Sequence, residues 1–311
     1  VIDRPLDNAQ ATEILRPVWP DVVVIDLRVR TGGQLSSVYE VRCAEPATSV
    51  IVKVYAEQWR WKQAKEVFVY RLLRAHEVGP VPEILRVEPD TGVLGCAFTV
   101  LTMLPGQPLS QVSAYFDDAQ LAHVYRQVGA TLSAIHRIEQ SSYGYLTTRI
   151  LDPEPDNTAY MTRQFTKKLN EFAELGGDSA LHAGIHAYVA NRVGLFRRCT
   201  VPVLCHNDLH EGNVLVGQVA GHWTMTGFID VENALAGDPL LDLAKTDYYS
   251  VHGNPVKRAA VIDGYGELPE DWSATSALYR LYHALELWDW FASIGDKAPL
   301  PGIADDIRQM I

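Results

Sequence analysis

The sequence predicts an α+β fold in two parts: a small antiparallel sheet over residues 1–104 and a larger, mostly helical part over 105–311. Three observations carry that division. The first hundred residues hold β-branched and apolar runs separated by turn residues. Pro105 and Gly106 break the chain after the last of these runs. From Leu109 onward, apolar residues recur mainly at helical spacing.

In chain order, Asp21 to Arg30 is a β-branched run ending at Thr31, Gly32 and Gly33. Gln34 to Cys43 and Ser49 to Tyr55 read as a second and a third strand. Glycines between strands let a backbone approach phosphates, with Ser36 and Ser37 as hydroxyl or amide donors; a plain hairpin fits the same pattern. Lys53 lies in IVKVY, so its stem sits in an otherwise apolar strand, which calls for a partner. Trp59 to Ala75 is rich in helix formers and includes Glu66. Ala97 to Leu104 is an apolar strand that stops at Pro105.

In the second part, Leu121, Val124, Tyr125, Val128, Leu132 and Ile135 repeat at helical intervals, predicting a helix from Asp117 to Ile138. His136, near its end, reads as a structural hydrogen-bonding residue. Asn157 to Leu175 and Ser179 to Arg198 read as two more helices, separated by the stop signal Gly176 and Gly177. Leu240 to Ser250 follows the turn Gly237, Asp238, Pro239 and carries Asp242 near its N-terminus, where a negative charge is favourable. The stretch Ser276 to Ile294 holds Tyr282, Glu286, Trp288, Asp289 and Trp290. These residues fit either a wall for a small molecule or an ordinary core stripe.

Between these helices stand two motifs, CHNDLHEGNVLV from Cys205 to Val216 and GFIDVENALAGDP from Gly227 to Pro239. His206, Asp208 and Asn213 match the order and spacing of a kinase catalytic loop: His, any residue, Asp, four residues, Asn. Asp208 would accept the proton of an attacking hydroxyl, while Asn213 and Asp230 would hold Mg²⁺ against nucleotide phosphates. No G-x-x-x-x-G-K-[ST] loop and no G-x-G-x-x-G competes for the nucleotide, and no D-F-G or A-P-E marks a protein-kinase activation segment.

On these motifs the chain resembles the aminoglycoside phosphotransferase and choline kinase-like branch of the protein-kinase-like fold. That branch typically writes the loop as HGDLHPGN and the metal strand as IDWE, followed by GDP and DLA; this chain has HNDLHEGN and IDVENALAGDPLLDLA. Asn207 stands for Gly, Glu211 for Pro and Val231 for an aromatic. Asn207 is tolerable because Asn visits left-handed backbone conformations. The resemblance implies a bilobal fold and an ion pair between Lys53 and Glu66, the glutamate that orients the phosphate-binding lysine. It places Leu101 at the back of an adenine pocket, with backbone groups of Thr102 and Leu104 bonding the purine. It makes His206 and Asp242 braces of the catalytic loop, and lets His210 and Glu232 face phosphates or metals. The helices over 157–198 would help build the acceptor site.

Composition narrows the partners. A net charge of −11 argues against nonspecific nucleic-acid binding and suits a cationic small molecule. With 47% hydrophobic residues over 311, the chain can build one large or two moderate cores. Cys43, Cys96, Cys199 and Cys205 are scattered without a Cys-x-x-Cys pair, so neither a zinc site nor a disulfide framework is indicated. The start, VIDRPLDNAQ, has neither basic leader nor apolar core, and no run approaches about 18 apolar residues. A soluble cytoplasmic monomer or homodimer with no membrane partner is expected, a few upstream residues being absent with the initiator Met.

The reading is transfer of the γ-phosphate of ATP or GTP, with Mg²⁺, to a hydroxyl of a small-molecule acceptor. An antibiotic is the first expectation, giving resistance or self-protection. The alternatives are a metabolite kinase for choline, an amino sugar or a related alcohol, with Tyr282, Trp288 and Trp290 caging an ammonium, and a catalytically silent nucleotide-binding module.

Overall fold

The structure, a computed structural model, describes residues 6–30, 36–89 and 94–311. The turn at Thr31, Gly32 and Gly33, read above as a phosphate-approaching or hairpin turn, lies outside the described residues. The chain divides into two compact units. One is Val1–Gln107 with Thr147–Arg149 and Thr226–Glu232; the other is Pro108–Leu146, Ile150–Met225 and Asn233–Ile311.

The first unit opens with α1 (Asn8–Leu15), started by a capping box in which Asp7 accepts from the Gln10 N–H and Gln10 answers it. Its antiparallel sheet has the order β1 (Val23–Arg30), β2 (Ser36–Glu45), β3 (Thr48–Tyr55), β5 (Phe98–Thr102), β4 (Ile84–Glu88). In β3 the pleat sends Val50, Val52 and Val54 into the core shared with Ala11, Ile14 and Leu15 of α1. Lys53 therefore points to the opposite face, where α2 (Arg60–Ala75) supplies Glu66. Gln63 of α2 ties the helix to the sheet, its Nε2 donating to the carbonyls of Phe98 at 2.7 Å and Glu88 at 2.9 Å.

The segment Thr226–Glu232 is held to this unit by its backbone. The Phe228 N–H donates to the Pro80 carbonyl at 3.1 Å and the Asp230 N–H to the Tyr70 hydroxyl at 3.0 Å. Gly227 is required there: its φ is +151°, and a Cβ would lie 2.6 Å from the Pro80 oxygen.

In the chain, β6 (Gln107–Pro108) spans the boundary between units. The second unit carries α3 (Asp118–Ile135), β7 (Tyr143–Leu146), β8 (Ile150–Glu154), α4 (Asn157–Glu174) and α5 (Ser179–Ala190). Then come β9 (Val203–Cys205), β10 (Val214–Val219), β11 (His222–Phe228), which crosses back into the first unit, and β12 (Leu235–Gly237). The chain closes with α6 (Pro239–Thr246), α7 (Pro255–Tyr265), α8 (Trp272–Ser293) and α9 (Leu300–Met310). A sheet of order β8-β7-β12-β9 sets β9 beside β12, so the strand leading into the catalytic loop is fixed by the segment after the metal strand.

Three helices end sooner than their sequence suggests, α3 stopping at Ile135 rather than Ile138. The one expected over 179–198 stops at Ala190 and resumes as a 3₁₀ segment, Val193–Arg198. Asn191 caps it, and Gly194 follows, both poor helix-interior residues. The one expected over 240–250 keeps α geometry to Thr246 and then widens into a π turn, Asp247–Val251, which His252 closes with φ +47°.

Helices α3 and α7 cross where both lack a side chain. A Cβ on Gly129 would stand 2.1 Å from the Val261 carbonyl oxygen, and one on Gly264 would stand 1.8 Å from that of Arg126. Backbone, not flexible side chains, would have to move, so Gly264→Ala should destabilise the protein by about 1–3 kcal/mol despite its better helix propensity. A denaturant midpoint unchanged from wild type would contradict this crossing.

Among the described residues no helix is long and apolar enough to cross a membrane.

Candidate active site

In the first unit, Lys53 is the centre of a buried charge cluster. Its Nζ lies 3.1 Å from Glu66 Oε2, 3.4 Å from Glu232 Oε2 and 3.6 Å from Asp230 Oδ1. Tyr55, two residues along β3, donates its hydroxyl to Glu66. Glu232 also receives Lys62 Nζ at 3.0 Å, a residue the sequence reading passed over because a lysine early in a helix usually faces solvent. Burial would lower the Lys53 pKa, but the carboxylates of Glu66 and Asp230 hold it well above the ordinary lysine value, as ammonium. The Glu66 pKa rises through burial and the Asp230 charge, opposed by Lys53.

Among the described residues, Lys53 and Lys62 thus stand among the carboxylates of Glu66, Asp230 and Glu232, with Lys65 also within electrostatic reach of Glu232. Asp230 adopts φ +66°, and its Oδ1 is buried and accepts no hydrogen bond among the described residues. A carboxylate oxygen that accepts no hydrogen bond, with only the Lys53 ammonium 3.6 Å away, is a fitting ligand for a hard cation such as Mg²⁺.

Ser36 and Ser37 open β2, in register with Tyr55 and Val54. Leu101 is buried in β5. Thr102 donates its N–H to the Glu83 carbonyl at 2.9 Å, and its hydroxyl accepts the Glu83 N–H at 2.8 Å, so the expectation of a backbone bond to a purine rests on its carbonyl. That N–H is not open to a purine, because β5 ends by pairing with the chain that leads into β4. Leu104 lies past the strand, partly exposed, next to Gly227.

In the second unit, the loop from His206 to Asn213 is braced from beneath by Asp242, which is 0% exposed. Its carboxylate accepts the N–H groups of His206 at 2.6 Å and Asn207 at 2.9 Å, and lies 3.2 Å from His136 Nε2. The other ring nitrogen of His136 meets the Tyr265 hydroxyl at 3.0 Å. Burial would raise the Asp242 pKa, but the His136 bond and charge hold it below the ordinary aspartate value. Cys205 lies close to this pair, yet its thiol, pushed well up in pKa by burial, faces the Asp238 carbonyl at 3.5 Å. With both His136 nitrogens and the Asp242 oxygens hydrogen-bonded, this trio is a brace rather than a metal centre.

Asn207 takes φ +57°, the left-handed turn that brings Asp208 forward. Glu211, where the family pattern has Pro, anchors the far side of the loop: its carboxylate accepts from Ser113 at 2.8 Å, from Lys257 at 2.8 Å and from Tyr125. Although burial would raise its pKa, these donors hold Glu211 below the ordinary glutamate value.

Asp208 itself is held on both oxygens. Asn233 Nδ2 donates to Oδ2 at 3.0 Å, while Oδ1 lies 3.8 Å from His210 Nε2 and 3.9 Å from Lys245 Nζ. Asn213 Nδ2 donates to the Asp208 carbonyl at 2.9 Å, which orients the amide and leaves its oxygen as the atom for a cation. Asn233 and Lys245 were missed from sequence. The signal for Asn233 was its place directly after the metal-strand acids, and for Lys245 a cation ending the apolar run LLDLAK.

The C-terminal residues proposed as a wall separate into two groups. Tyr282 and Trp288 are each 7% exposed and face α4, Tyr282 edge-on to Phe165 and Trp288 tilted on Phe172 at 4.3 Å. They are core residues, so the ammonium cage does not form around them; Trp290 is exposed. Glu286, by contrast, faces the loop, with Lys245 Nζ at 3.0 Å and His283 Nδ1 at 3.2 Å. Asp289 is buried with neither oxygen hydrogen-bonded among the described residues, and Lys168 Nζ is 4.0 Å away.

Burial raises the Asp289 pKa to about 8. The folded state then keeps a proton that the unfolded chain, with an ordinary aspartate pKa near 4, releases. Stability should therefore fall as pH rises from about 4 to about 8 and level off above. Asp289→Asn should remove this term, melting like wild type near pH 4 and gaining about 1–3 kcal/mol at pH 8; equal stability at both pH values would refute it.

Comparison with known proteins gives the family and the fold. Residues 26–278 match APH, the Phosphotransferase enzyme family. The structure is similar to a thermostable mutant of aminoglycoside phosphotransferase APH(4)-Ia in ternary complex with ADP and hygromycin B, at TM-score 0.70 and 16% identity, covering 97% of this chain and 98% of that one. It is similar to the GDP and kanamycin complex of APH(2")-IIia, at TM-score 0.71 and 14% identity over 96% and 97% of the two chains. A putative fructosamine-3-kinase from Haemophilus somnus 129PT gives TM-score 0.67 at 15% identity over 97% and 96%. Among curated proteins no sequence matches. These likenesses identify the protein-kinase-like fold, and the family match covers most of the chain. The chain belongs to the phosphotransferase enzyme family and is a kinase that phosphorylates hydroxyl groups.

Proposed function

We propose that the protein moves the γ-phosphate of ATP or GTP to a hydroxyl of an antibiotic, an aminoglycoside or another natural product, and so inactivates it in the cytoplasm. The observation that carries the reaction is Asp208: a carboxylate presented on a loop whose backbone is fixed by a fully buried acid, with Asn233 setting its orientation. Asp208 takes the proton as the acceptor oxygen forms its bond to the γ-phosphorus. The bond from that phosphorus to the bridging oxygen breaks, and the nucleoside diphosphate leaves. Lys53, held by Glu66, would bind the phosphates. Asp230 and Asn213 each present an oxygen suited to Mg²⁺, which when bound offsets phosphate charge.

The antibiotic assignment is supported by the molecules bound in two similar structures, kanamycin and hygromycin B, and by the net charge of −11, which favours cations. The test is a nucleotide-consumption screen with Mg²⁺ against aminoglycosides, macrolides, peptide and nucleoside antibiotics, and choline-like alcohols. Turnover with an antibiotic supports the proposal. Turnover with only a metabolite alcohol moves the assignment to metabolism, and binding of nucleotide without turnover favours a silent module.

A further inference from the structure

The proposed chemistry leaves one charged pair unexplained. Lys245 is 6% exposed, at the end of α6, with its Nζ 3.0 Å from Glu286 and 3.9 Å from Asp208 Oδ1. Burying such a pair costs several kcal/mol of desolvation, and an apolar pair would join α6 to α8 as well or better. Its geometry is also specific. Glu286 is clamped from its other side by His283, whose Nε2 meets the Leu241 carbonyl at 2.8 Å. The π turn that follows Lys245 carries Tyr249, whose ring lies 5.3 Å from Nζ and is stacked parallel to His210, of the catalytic loop, at 6.4 Å. Such π distortions recur at functional sites because they re-aim side chains.

We infer that Lys245 is a catalytic residue of the transfer step, its ammonium contacting the phosphoryl group as it moves to the acceptor. The inference rests on Asp208 being the base. A base must lie within hydrogen-bond reach of the acceptor oxygen, and the phosphorus being attacked lies about 3–3.5 Å from that oxygen. A cation 3.9 Å from the same carboxylate can reach the equatorial oxygens by a small rotation of a flexible stem with three donors. Charge moves accordingly. Before transfer, Lys245 pairs with the Asp208 carboxylate; once Asp208 has taken the proton and become neutral, the ammonium is free to pair with the new phosphate ester. Glu286 keeps the ammonium at the loop throughout.

The test compares wild type, Lys245→Met, Lys245→Arg and the double variant Lys245→Met/Glu286→Gln. It reads steady-state turnover on an acceptor from the screen, or hydrolysis of Mg-nucleotide by water, together with MgADP affinity and melting temperature. Loss of one such donor typically costs roughly 10²–10³ in turnover. The expected result is a loss of that order in Lys245→Met and in the double variant, with MgADP affinity within about threefold of wild type and partial recovery in Lys245→Arg. The double variant separates the roles, since it removes the buried unpaired carboxylate that the single change leaves. If it melts like wild type and turns over like wild type, Lys245 only neutralises Glu286 and the inference fails while the assignment of Asp208 stands. If wild type shows no turnover of any kind, the proposed function fails and the inference with it.

Discussion

Asp208→Asn should lower turnover by roughly 10²–10⁴-fold while leaving the affinity for MgADP within about threefold. The substitution is nearly isosteric, so the contact with Asn233 at 3.0 Å can be kept by rotating the amide. What disappears is the proton acceptor, needed only as the acceptor hydroxyl attacks. In the proposed function nucleotide affinity rests on other groups, Lys53 above all, so kcat and binding should separate. Steady-state kinetics alongside calorimetric titration of MgADP measures both. Near-normal turnover would remove Asp208 as the base. A parallel collapse of nucleotide affinity would show that the change disturbs the site and not one step of it.

The largest stability effect is expected at Asp242. Asp242→Ala leaves the N–H groups of His206 and Asn207 buried without their acceptor, and deprives His136 Nε2 of its partner. Each unsatisfied buried group costs about 1–3 kcal/mol, so a loss of about 3–5 kcal/mol is expected, with activity falling as the loop loses its brace. Asp242→Asn should do little better, because its NH₂ would face a backbone N–H. The same residue predicts acid lability in wild type. Its folded pKa is depressed, so its stabilisation is complete above the ordinary aspartate pKa and is lost as pH falls through the folded value. Glu211 and Glu286, also held low by buried donors, act in the same direction. Urea unfolding of both variants at neutral pH, and of wild type across the acid range, checks these effects; a variant as stable as wild type would exclude the brace.

How much of this was legible in the sequence depended on whether a residue's partner was fixed by local spacing. The loop from His206 to Asn213 and the segment around Asp230 could be proposed as a site because their pattern is written in consecutive residues. Lys53 in an apolar strand called for a charge, and Glu66 on the next helix is the residue that meets it, at 3.1 Å. Asn233, Lys245 and Lys62 were not legible. Their partners lie 25, 37 and 170 residues away, and only the folded chain brings them together. Glu211 looked like a neutral departure from a proline because Ser113, Tyr125 and Lys257 come from other helices and turns. Tyr282 and Trp288 show the converse. Aromatic spacing on a helix fits a core and a binding wall equally well, and α4 packing against them decides for core.

In the proposed function Asp208 directs a nucleotide phosphoryl group onto a small-molecule hydroxyl. The direct measurement uses nucleotide labelled on its γ-phosphate, incubated with Mg²⁺, an antibiotic panel and either wild-type protein or the Asp208→Asn variant, followed by mass spectrometry of the acceptor. The expected result is an antibiotic carrying one labelled phosphoryl group with wild type and essentially none with the variant. Label found only in inorganic phosphate, or on the acceptor equally with both proteins, would contradict it.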